Sequence, residues 1–65
     1  MKFYRLYIVY SNSHMAEKVF NDEQVAVAEF KAQEKSPYVH GLKLYTCIFV
    51  CGVLTDKDCI KQAKN

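Results

Sequence analysis

The chain has 65 residues, with no tryptophan, one proline and two glycines. With so few breakers the backbone has few places to leave regular geometry, so most of the chain is expected in helix or strand. An excess of one charge is also missing. Nine Lys and Arg stand against seven Asp and Glu, for a net charge of +2. The Lys residues are interleaved with acids, unlike the one-sided basic field of a dedicated nucleic-acid binder. No apolar run approaches the ~20 residues a helix needs to cross a bilayer. Met1-Lys2-Phe3-Tyr4-Arg5 lacks the apolar stretch and small-residue cleavage site of a secretory leader, so a cytoplasmic protein is expected. The cysteines are three, an odd number, and read there as reduced thiols rather than a disulfide framework.

Apolar residues make up 51% of the chain, including four Phe and five Tyr. Residues 1–65 form one domain by length. A domain of about 60 residues buries only ~60% of the surface its unfolded chain exposes, so it has little room for a second core or a deep cleft.

Lys2 to Ser11 alternates Tyr4, Leu6, Ile8, Tyr10 with Phe3, Arg5, Tyr7, Val9, which predicts a strand with one apolar and one mixed face. The turn formers Ser11-Asn12-Ser13-His14 follow, and residues 15–20 are expected to return as a shorter strand, with a short helical turn as the alternative. Asn21 reads as a helix N-cap with Gln24 closing a capping box, and Phe20 and Val25 form a hydrophobic staple. A helix is therefore expected from Asp22 to near Lys35, where Pro37 disfavours helical geometry at Ser36. Residues 42–54 read as one long strand, apolar on both sides in its second half. Thr55 with Asp58 reads as a second capping box, opening a short helix or turn through Ala63.

These elements predict an antiparallel α+β fold: a three-stranded sheet of order 2-1-3, one main helix on one face, and a possible short C-terminal helix. The long strand then lies at an edge with only Lys43 as a protective device, open to pairing with another strand. Tyr4, Leu6, Ile8, Tyr10, Leu42, Leu44, Ile48 and Val50 are expected beneath the helix. The helix carries two apolar stripes, Ala26-Val27-Phe30 and Val25-Ala28-Ala32, of which only one fits on the sheet.

Apolar surface on both sheet faces and two helix stripes exceeds what one small body buries unless the C-terminal segment covers the second sheet face, and contiguous exposed apolar patches mark partner sites. The expected partner or dimer interface is Phe3, Tyr7, Val9, Tyr45, Phe49 and Val53 with Val25, Ala28 and Ala32. The same sheet face interleaves Arg5, Tyr7, Lys43, Tyr45 and Phe49. That pattern suits bases stacked on rings with phosphates on cations, an alternative use as a single-stranded nucleic-acid platform.

Cys47, Cys51, Cys59, His14 and His40 are of ligand type for zinc. However, Cys47 and Cys51 on one strand stand ~13 Å apart, too far for one ion. Nothing in the sequence brings a thiol and an imidazole together as nucleophile and base, and there is no glycine-rich phosphate loop. The expectation is a non-enzyme without metal or cofactor: a homodimer, or a regulator or inhibitor that docks on a larger protein. Short linkerless domains of this kind are common among phage accessory and antitoxin-like proteins.

Overall fold

A computed structural model describes residues 2–64. Five elements follow in order: β1 (Phe3–Tyr10), β2 (Met15–Phe20), α1 (Glu23–Glu34), β3 (Val39–Val50) and β4 (Val53–Ala63). The strands form one antiparallel sheet of order β2-β1-β3-β4.

The β1–β2 hairpin closes through a local turn. The His14 N–H donates to Asn12 Oδ1 at 3.1 Å, the Tyr10 N–H donates to the His14 carbonyl at 2.8 Å, and Ser13 takes a left-handed φ of 70°. Its register sets Tyr4 opposite Phe20 and Val9 opposite Met15.

The helix begins one residue later than the sequence suggests. Asp22, not Asn21, is the N-cap, extended at φ −134°, and its Oδ1 accepts from the Gln24 and Val25 N–H groups. A carboxylate at this place satisfies the free amides and also meets the positive helix end, an advantage an asparagine lacks. Lys35 ends the helix ahead of Ser36-Pro37.

The expected three-stranded sheet with a C-terminal helix is overturned. Residues 53–63 form β4, so the sheet has four strands, and the long strand is interior rather than at the edge. The chain reverses at Cys51-Gly52, both at positive φ (51° and 78°), as a two-residue hairpin of the primed type demands. Residues 42–54 are thus two strands and a turn. The outer edges are β2 and β4. Two register irregularities, at Leu44/Tyr45 and Thr46/Cys47 on β3, leave Ile60 and Lys57 as extra residues on β4. Bulges and charges of this kind blunt an edge against further pairing.

The core lies between α1 and one sheet face: Tyr4, Leu6 and Ile8 from β1, Ala26 and Phe30 from α1, and Val39, Leu42 and Leu44 from the β3 strand. Lys61 from β4 lays its ammonium over the Phe30 ring, 5.4 Å from its centroid. Lys18 of β2 pins the helix flank through Glu29 at 2.9 Å.

Ile48 and Val50, expected under the helix, are 37% and 46% exposed. Length is the reason. Twelve helical residues cover about 18 Å, whereas the twelve residues of β3 span about 40 Å. β1 also stops short, its last pairing being Phe3 with Cys47. The tip of the β3–β4 hairpin therefore projects as a two-stranded ribbon beyond both.

Candidate interaction surface

Only one sheet face carries the helix. On the other, pairing register assembles four rows from residues far apart in sequence. The first row is Phe3, Cys47 and Asp56, and the second is Val19, Arg5, Tyr45 and Cys59. The third is Glu17, Tyr7, Lys43 and Gln62, and the fourth is Met15, Val9 and Gly41. Above the first row, Phe49 and Leu54 continue the face onto the projecting ribbon.

The centre of this face is organised around one carboxylate. Asp56 Oδ1 accepts from Arg5 Nη1 and from the Cys47 thiol, each at 3.2 Å, and its Oδ2 accepts from the Tyr7 hydroxyl. Arg5 also donates to the Tyr7 hydroxyl at 3.2 Å and to the Leu54 carbonyl at 3.4 Å, while its buried Nε has no partner among the described residues. The side chains of Arg5 and Asp56 are 18% and 28% exposed, so the pair is largely withdrawn from water. Burial and then the Asp56 hydrogen bond push the Cys47 thiol up to about 11. Its hydrogen bond to Asp56 also raises the Tyr7 phenol. A thiol held protonated is a poor nucleophile, so this cluster ties strands together rather than activating a group.

Edge-to-face aromatic pairs flank the cluster: Tyr7 with Tyr45 at 5.6 Å between centroids, and Phe3 with Phe49 at 5.5 Å. The ribbon is apolar on both sides. Phe49 is 59% exposed on the open face, and Val53, at 64%, lies with Ile48 and Val50 on the other.

Of the expected interface residues, the fold brings Phe3, Tyr7, Val9, Tyr45 and Phe49 onto the open face. Val53 sits at the ribbon tip but on the opposite side. Val25, Ala28 and Ala32 are exposed on the outer helix surface, separated from the rest by the sheet itself. Among the residues suited to nucleic acid, Arg5 is committed to Asp56, which places a negative charge at the centre of the platform.

Cys47 is buried while Cys51 and Cys59 are exposed and free, and no group of three metal-ligating side chains gathers among the described residues. No described helix is long and apolar enough to cross a membrane. Asp56, Leu54 and Met15 belong to the surface but escaped the sequence reading. Only the β3–β4 register brings Asp56 beside Arg5. No family model, curated protein or solved structure matches this chain.

Proposed function

We propose that this protein is a small non-catalytic protein-binding module, a regulator or inhibitor of a protein partner, whose working surface is the open sheet face and the projecting β3–β4 ribbon. The observation that supports this reading is the ribbon itself. Ile48, Phe49, Val50 and Val53 stand between 37% and 64% exposed on a two-stranded projection beyond the last β1 pairing, with the Phe3 ring against Phe49 at its base. An isolated two-stranded hairpin is marginal in water, and a contiguous apolar patch of this kind marks a contact site. Fully burying a Val, Ile or Phe contributes roughly 1.5–3 kcal/mol, so a few such side chains suffice to anchor a partner. The commitment of Arg5 to Asp56 favours a protein over a nucleic-acid strand, because the face loses its central phosphate contact.

The test is affinity capture from nuclease-treated lysate of the source cell, with wild type beside Phe49→Asp and Val53→Asp. Val53→Asp is expected to melt near wild type because Val53 is exposed, whereas Phe49→Asp gives up the edge contact with Phe3 and is compared at a temperature where its melt shows it folded. The reading requires at least one protein retained by wild type and lost from both variants. Identical captured sets, or retention only before nuclease treatment, would overturn it.

A further inference from the structure

One cation on the open face has no counterpart. A cavity of about 320 Å³ spans the middle of this face. Tyr7, Val9, Met15, Leu42 and Tyr45 give it rings and apolar groups, and its two charged residues are Lys43 and Asp56. Asp56 is already committed. Its Oδ1 accepts from Arg5 and Cys47, its Oδ2 accepts from Tyr7, and Arg5 at 3.2 Å balances its charge. Lys43 is half-buried, yet it makes no ion pair and no side-chain hydrogen bond among the described residues. The residues directly opposite it are Tyr7 on β1 and Gln62 on β4, neither of them an anion. The one carboxylate of that row, Glu17, stands beyond Tyr7 on β2, two strand spacings or about 10 Å away along the sheet.

We infer that this cavity receives an acidic side chain of the protein partner, an Asp or Glu set beside an apolar residue, with its carboxylate on the Lys43 ammonium. The inference rests on the protein-binding reading above and states the chemistry of the segment that docks there. With Asp56 cancelled by Arg5, the net charge of the cavity is that of Lys43, so a carboxylate is drawn in and a further cation is repelled. Water and salt screen a half-buried ammonium less than an exposed one, which makes the added pair worth more than an ordinary surface salt bridge. The remaining lining suits the apolar neighbour, with Tyr45 and Met15 as its contacts.

The count of cations decides against a nucleic-acid strand. One free lysine matches one carboxylate, whereas a strand carries a phosphate at every nucleotide and draws its affinity from several contacts. The ribbon lies within reach of the same partner segment. Phe49 and Lys43 are six residues apart on β3, about 20 Å, so roughly seven extended residues place apolar anchors on the ribbon and an acid at the cavity.

Three capped tripeptides, acetyl-Phe-Glu-Leu-amide and its twins with Gln or Lys at the centre, probe the site by ¹H–¹⁵N NMR on the full chain. The Glu peptide is expected to shift the Tyr7, Lys43 and Tyr45 amides at low salt. It should bind about fivefold to tenfold tighter than the Gln twin, with the Lys twin weakest. Lys43→Gln gives up no partner, so it should fold as wild type and lose the preference, while Lys43→Arg should keep it.

Equal binding of the Glu and Gln peptides overturns the inference. So does a preference that survives Lys43→Gln, or an absence of shifts at these amides at millimolar peptide. Capture from lysate separates this outcome from the wider reading. A protein retained through Phe49 and indifferent to Lys43→Gln overturns the acid site and leaves protein binding standing. No protein retained by wild type overturns both.

Discussion

The thiol of Cys47 donates to Oδ1 of Asp56 at 3.2 Å, straight across the β3–β4 ladder, and the same oxygen accepts from Arg5 of β1. One carboxylate thus joins three strands on the face away from the helix, and its neighbours respond to it in measurable ways.

Thiol reactivity should separate the three cysteines. Cys51 and Cys59 are exposed, whereas Cys47 is buried with its thiol held up at about 11. Iodoacetamide at mildly alkaline pH is expected to alkylate Cys51 and Cys59 in the native protein and to reach Cys47 only after denaturation. Peptide mass mapping reads this directly, and equal labelling of all three would contradict the structure.

Stability should fall on the alkaline side. In the unfolded chain the Cys47 thiol ionises near 9.0, and in the folded protein near 11. The folded state therefore holds the proton more tightly, and this stabilisation is fully present below pH 9 and lost as pH rises through 11. The Tyr7 phenol, raised from its ordinary value of 10.0, acts in the same direction. Melting temperature is expected to decline across this window, and less steeply in Cys47→Val.

Removing the carboxylate should be costly. Asp56→Ala strands a largely buried guanidinium that already has one unpartnered nitrogen, and it deprives Tyr7 and Cys47 of their acceptor. Breaking a pair of this kind without replacing it costs about 2–3 kcal/mol. Asp56→Asn keeps an acceptor oxygen and should recover part of that loss. Urea unfolding of the three proteins measures it, and a loss below about 0.5 kcal/mol, the range of ordinary surface substitutions, would show the cluster to be incidental.

The Cys51-Gly52 turn offers a gain. Cys51 sits at φ 51°, a region that L-residues other than Asn and Asp enter at a cost. Asn-Gly is the favoured pair for this turn, so Cys51→Asn should stabilise the protein by roughly 0.5–1 kcal/mol. Gly52→Ala, also at positive φ though with no atom within 4 Å of an added Cβ, should destabilise it by about 1 kcal/mol through backbone strain alone. Thermal melts decide both.

The misreading of β4 has a specific cause. The residues that share the open face on this strand are Leu54, Asp56, Cys59 and Gln62, because Lys57 and Ile60 are extra residues in the ladder. Their spacing is two, three, three. The other face, Thr55, Asp58, Lys61 and Ala63, runs three, three, two. A doubly bulged strand therefore mimics helical periodicity, and Thr55 and Asp58 imitate a capping box while lying side by side on a strand. In the structure the Asp58 N–H donates to Thr46 Oγ1 on the neighbouring strand at 3.2 Å.

The one available signal was Gly52, the only turn former between two apolar runs, but Cys-Gly is a weak marker beside Asn-Gly. The Arg5–Asp56 pair carried no signal at all, since it spans 51 positions and depends on the register of two strand pairings.

The sequence by itself determined what local chemistry decides. Alternation in β1 set its buried face, and the run of turn formers after Tyr10 set the hairpin. The acidic residues before Val25 and the proline after Ser36 bounded the helix. The surplus of apolar residues that opened the question of a partner was also visible there. Tertiary structure alone decided where that surplus lies. A helix rises about 1.5 Å per residue and a strand about 3.3 Å, so twelve residues of α1 cannot cover twelve of β3, and the uncovered remainder becomes the projecting ribbon.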